Sequence, residues 1–164
     1  MKKLIAMFLV AVLILACGVS SADLDRKLID HYNYCAYATA APELDPEKAV
    51  VSAENPNLYI FPCGSYRIGF ELIADNIIKT GAIYAKDDSC AADFLCSCMA
   101  MITYLGDTDV ASFGMLCYQF SCIRAGFESI PSILGSDGFQ MLPDDGGEWK
   151  YRFIYMNNDL TVND

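Results

Sequence analysis

Histidine is nearly missing: the 164 residues hold one, His31. That weakens every mechanism in which an imidazole takes a proton from a serine or cysteine, and no Gly-x-Ser-x-Gly turn offers a nucleophile. His31 sits beside Asp30 on an amphipathic stretch, the setting of an ordinary boundary residue. There is no Cys-x-x-Cys pair of the kind that opens redox helices or grips structural zinc, and no nucleotide-binding glycine pattern. The acidic pairs Asp87-Asp88, Asp107-x-Asp109 and Asp144-Asp145 never extend into a calcium-binding loop. Metal and cofactor are therefore not expected. Internal repeats and low-complexity tracts are lacking too. Basic residues are few, 11 against 21 acidic ones, for a net charge of −10. Such a balance disfavours nucleic acid and anionic lipid headgroups, which attract basic surfaces.

Long apolar runs are also scarce. The stretch from Cys90 to Phe127 is interrupted by Thr103, Gly106, Asp107 and Asp109, short of the roughly 18 residues a spanning helix needs. The one continuous run, Leu4 to Ala16, follows Lys2 and Lys3 and precedes small residues. Thirteen residues rise only about 20 Å as a helix against a hydrocarbon core of roughly 30 Å, so the run reads as an export signal. Two cleavage sites compete. Cutting after Ala22 uses Ser20 and Ala22 at the small-residue positions, leaving residues 1–22 as the signal and 23–164 as one domain. Cutting before Cys17 uses Ile14-Leu15-Ala16-Cys17, which resembles a bacterial lipobox and would make Cys17 the lipidated first residue. Contact with a membrane is expected only through such an anchor.

The remaining chain reads as α+β. Leu24, Leu28, Tyr32, Cys35 and Thr39 recur at helical spacing up to Ala40, before Pro42 and Pro46. Leu58 to Pro62 reads as a strand. In the next strand, Tyr66, Ile68, Phe70 and Leu72 alternate with Ser65, Arg67, Gly69 and Glu71, and Ala74-Asp75-Asn76 turns into a strand from Ile77 to Lys86. Helical spacing returns at Ala91, Phe94, Leu95, Cys98, Met101, Ile102 and Leu105, and Gly106-Asp107 is a stop. A second helix carries Val110, Phe113, Leu116, Cys117, Phe120 and Phe127. Trp149, Tyr151, Phe153 and Tyr155 alternate with Lys150, Arg152 and Ile154 in a strand that pairs across Asp144 to Gly147 with Gly138 to Leu142, and a short strand follows Asn157-Asn158. These stripes predict an antiparallel sheet of about five strands, with an N-terminal helix and a central helix pair packed on one face.

Cysteine is abundant. Cys35, Cys63, Cys90, Cys96, Cys98, Cys117 and Cys122 survive either cut, and an odd number leaves one thiol outside any internal disulfide framework. Helical geometry turns Cys35, Cys98 and Cys117 inward as small hydrophobes, and Cys96 and Cys122 outward. A Cys98 to Cys117 bond across the helix hairpin would stabilise by about 3 kcal/mol; Cys96 and Cys122 are the remaining candidates for a bond or for exposed thiols.

The segments Leu28-Ile29-Asp30-His31-Tyr32-Asn33, Asp93-Phe94-Leu95 and Met101-Ile102-Thr103-Tyr104-Leu105-Gly106 together resemble small exported or lipid-anchored bacterial proteins, most of them without an assigned function. The cysteine content departs from that group, and the resemblance brings no catalytic residues. The expected function is a noncatalytic module that binds a protein or small ligand at the cell surface, with 19 tyrosines and phenylalanines to supply contact area. The alternatives are a thiol- or carboxylate-dependent secreted enzyme and a disulfide-linked structural subunit.

Overall fold

A computed structural model describes residues 26–73, 77–105, 110–127, 138–142 and 147–157. Cys17 and the expected export signal lie outside these residues, as do Leu24, the residues 74–76, 106–109 and 143–146 on which the expected turns fall, and the expected final strand after Asn158.

The first helix, α1 (Arg26–Thr39), buries Leu28, Ile29, Tyr32, Cys35 and Ala36, the face its apolar spacing defines. It ends before either proline. The Ala41 N–H donates to the Ala36 carbonyl at 2.8 Å, closing the last turn with Ala40 in the left-handed region at φ 57°. The Asn33 side chain then clamps the following segment: its amide donates to the Leu44 carbonyl (3.0 Å) and its carbonyl accepts from the Leu44 N–H (2.7 Å).

Six strands form one antiparallel sheet: β1 (Val50–Val51), β2 (Leu58–Cys63), β3 (Tyr66–Ile73), β4 (Ile77–Ala85), β5 (Gly138–Leu142) and β6 (Tyr151–Met156), ordered β1-β2-β3-β4-β6-β5. The expectation of about five misses β1, whose two residues are too short to show alternation. Tyr66, Ile68, Phe70 and Leu72 are all buried, as the period-two pattern requires. Their register partners Ile83 and Ala85, with Tyr151, Phe153 and Tyr155 of β6, extend the same buried face.

The helices α2 (Ala91–Tyr104) and α3 (Val110–Arg124) join α1 over that face: α2 packs on α1 and β4, and α3 on α2 and β5. Phe94 of α2, fully buried, meets Phe120 at 6.1 Å and Tyr151 at 5.6 Å between ring centroids, tying both helices to β6. The α3 stripe is rotated from the predicted one. Leu116, Gln119, Phe120 and Ile123 face inward, Phe113 and Cys117 are half-buried, and Phe127, beyond the helix end, is exposed. Gln119 is the polar member of that face: its side-chain oxygen accepts the Met141 N–H at 3.3 Å and links α3 to β5. A polar residue at an inward position is invisible to an apolar stripe.

Candidate functional site

Because side chains alternate across a strand, the outer sheet face is built from residues the helices never touch. Register sets them in rows across the strands. Arg67 of β3 lies beside Tyr84 of β4, which lies beside Arg152 of β6; one step along, Ile60, Gly69, Ala82 and Ile154 form the next row; Leu58, Glu71 and Thr80 begin the third. Gly69 and Ala82 are the two smallest members, so the middle row is a trough. A Cβ added at Gly69 would meet its nearest atom, Leu58 Cδ1, at 3.7 Å, an ordinary contact. The resulting groove of ≈ 350 Å³ is lined by Leu58, Ile60, Arg67, Gly69, Ala82, Tyr84 and Trp149.

Trp149 forms one wall. The alternation that groups it with Tyr151, Phe153 and Tyr155 fails, because it precedes β6 and packs on the opposite face. Its ring lies 5.9 Å from that of Tyr84, and the Arg67 guanidinium stacks over it at 4.1 Å, with the Lys86 ammonium at 5.2 Å. Two cations over one indole need a counter-charge, and Glu148 supplies it: its carboxylate is 2.9 Å from Lys86 Nζ and 3.9 Å from Arg67 Nη2. The Lys86 hydrogen bond holds the Glu148 carboxyl below its ordinary range. At the other end of the trough, Glu71 accepts from Thr80 Oγ1 (2.7 Å) and from the Asn55 amide (3.1 Å), with Lys79 at 3.7 Å. The Thr80 hydrogen bond is the main cause that lowers its carboxyl as well. The groove therefore has an aromatic and apolar body and a cationic end at Arg67, with Glu71 and its partners on the same sheet face beyond its lining.

A second cavity, of ≈ 300 Å³, opens between the 42–48 segment and the β2–β3 hairpin. Glu43, Asp45, Lys48 and Asp93 rim it, with Asp45 and Lys48 paired at 3.0 Å, and Cys63 and Tyr66 line it. Behind Tyr66, the hydroxyls of Tyr32, Tyr66 and Ser97 are buried without a well-formed hydrogen bond. Burial pushes both phenols far above their ordinary pKa and raises the Cys63 thiol, which donates to the Phe61 carbonyl at 3.6 Å. A thiol shifted upward stays protonated at neutral pH and is a poor nucleophile. His31, the base such a thiol would need, lies elsewhere, its ring 4.9 Å from that of Tyr104.

The seven described cysteines are free thiols, so the Cys98 to Cys117 bond is not formed. Cys35 and Cys98 are buried as their stripes predict, and burial raises both pKa values. Cys117 is half-buried instead of buried, because of the α3 rotation, and Cys96 and Cys122 are also half-buried rather than fully outward. Burial and the neighbouring Asp93 raise the Cys96 thiol. Cys122 neighbours the exposed Tyr118, whose phenol it pushes up through a hydrogen bond. Cys90 is buried at the start of α2 and donates to the Asp87 and Ser65 carbonyls at 3.4 and 3.6 Å. Thus Cys96, Cys98, Cys117 and Cys122 do not converge on either cavity. Among the described residues, no group of three or more His, Cys, Asp or Glu side chains is placed to hold a metal, and no helix is long and apolar enough to cross a membrane. No protein-family model, curated protein or solved structure matches the chain.

Proposed function

We propose that this protein is an exported, noncatalytic binding module, carried at a bacterial cell surface by a lipid on Cys17 or released after cleavage at Ala22, and that it binds a small ligand against Trp149. Export rests on Lys2, Lys3 and the apolar run behind them. Binding rests on one observation, the trough left open by Gly69 and Ala82 between Trp149, Tyr84, Leu58 and Ile60. Apolar area kept in water is unfavourable, and a ligand that covers it recovers about 25 cal/mol per Å². The groove volume of ≈ 350 Å³ falls at the small end of the range for ligand sites, which suits a ligand of one or two rings. The upward-shifted thiols favour binding over thiol catalysis.

Trp149 is the only tryptophan, so the groove reports on itself. Titration with 8-anilinonaphthalene-1-sulfonate should quench Trp149 emission saturably with one-to-one stoichiometry. Gly69→Val, which fills the trough, should abolish that quenching while leaving the circular dichroism unchanged. Non-saturable quenching, or quenching indifferent to Gly69→Val, would count against the reading.

A further inference from the structure

The charges around the groove are unequally compensated. Glu148 Oε1 sits 2.9 Å from Lys86 but 3.9 Å from Arg67, so the carboxylate hydrogen-bonds the lysine and only approaches the arginine. Arg67 lines the groove directly, its side chain is 41% exposed, and its cross-strand neighbours Pro62 and Tyr84 carry no charge. Guanidinium is built for two parallel hydrogen bonds to a carboxylate at roughly 2.7–2.9 Å, far better than the 3.9 Å ion pair it makes with Glu148 among the described residues. Its plane is already fixed by stacking on Trp149, which lowers the ordering cost of accepting an anion. On the same sheet face, beyond the groove's lining, Glu71 is a carboxylate satisfied by Thr80, Asn55 and Lys79, so Arg67 is the charged group that the groove itself presents. Four residues of extended strand separate Arg67 from Glu71, about 13 Å.

Building on the binding function proposed above, we infer that the groove selects a small aromatic or apolar carboxylate, its ring on Gly69 and Ala82 between Trp149 and Leu58, and its anion on Arg67. In this arrangement Glu148 is a specificity-determining residue. Held on Lys86, its carboxylate keeps a negative charge 3.9 Å from Arg67, which opposes an incoming carboxylate and leaves a neutral analogue unaffected. The position of Arg67 in the lining fixes which end of the ligand carries the anion.

Isothermal titration calorimetry of the full chain with 2-naphthoate and with 2-naphthalenemethanol, its neutral counterpart, tests the assignment. The preference for naphthoate over the alcohol should fall about tenfold in Arg67→Gln, the loss of a charge-assisted pair. It should rise severalfold in Glu148→Gln, a change at an exposed side chain that keeps the test decisive if Arg67→Gln folds poorly. Opposite signs from two neighbouring substitutions are not produced by general loosening of the groove. If both probes bind equally and neither substitution alters the ratio, carboxylate selection is wrong while the binding function stands. If neither probe binds, both fall together.

Discussion

One strand, β3, supplies both faces of the sheet, and the two faces meet opposite fates. Tyr66, Ile68, Phe70 and Leu72 lie beneath the helices with exposures of 4, 0, 0 and 5%. Arg67 and Gly69, interleaved with them, line an open groove, and Glu71 shares their face. The inner face is filled, and its stability comes from apolar area taken out of water. The outer face keeps small residues where larger ones would fit, and its charges are arranged around a tryptophan rather than dispersed. Even the glycines differ. A Cβ at Gly81, on the inner face, would lie 3.2 Å from both Sδ and Cε of Met101, whereas one at Gly69 would make an ordinary contact. Folding fills one face and leaves a groove on the other.

The largest test of that division is Phe94→Ala. Phe94 is fully buried and stacks with Phe120 and Tyr151, so its truncation should cost about 3–5 kcal/mol in chemical denaturation. Protein that remains folded should still quench with anilinonaphthalene sulfonate, because the groove is on the other side of the sheet. Loss of binding in proportion to loss of core would show that the faces are not independent.

A paired substitution sharpens the point. Gly81→Val should destabilise by about 1–3 kcal/mol through overpacking against Met101. Gly69→Val should change stability by less than about 0.5 kcal/mol, since the space exists and valine suits a strand better than glycine. Equal penalties in urea melts would mean that the outer trough is as constrained as the core.

How much of this was legible in the sequence follows from the same alternation. The period-two run from Tyr66 to Leu72 and the helical spacing of Leu28, Tyr32 and Cys35 announce buried faces directly, and the α+β class follows from burying them. The groove could not be read that way. It depends on which residues of different strands stand side by side, and Gly69 beside Ala82 is set by the β3–β4 register. Trp149 is misleading because its spacing to Tyr151 imitates strand alternation while its backbone precedes the strand. The rows of Arg67, Tyr84 and Arg152 gave a partial signal, since basic residues recur in one phase of strands from an acidic chain. Gln119 and Asn33 were missed for a shared reason: each makes its key hydrogen bond to a distant backbone atom.

The smallest expected effect concerns the polar cluster inside the closed face. Tyr32 is fully buried, and its hydroxyl, like those of Tyr66 and Ser97, lacks a well-formed hydrogen bond. A buried hydroxyl that has given up water without gaining a partner is a net cost, so Tyr32→Phe should leave stability unchanged or raise it by about 1 kcal/mol. Groove binding should not respond. The two measurements discriminate between two roles for the cluster: a loss of stability in Tyr32→Phe would reveal a hydrogen bond that holds α1 and α2 to the sheet, and a loss of ligand binding at full stability would move the functional site to the inner cavity beside Cys63. Neither is expected if the inner face serves folding and the outer face serves recognition, because removing one oxygen from a filled interior leaves the register that builds the Trp149 groove untouched.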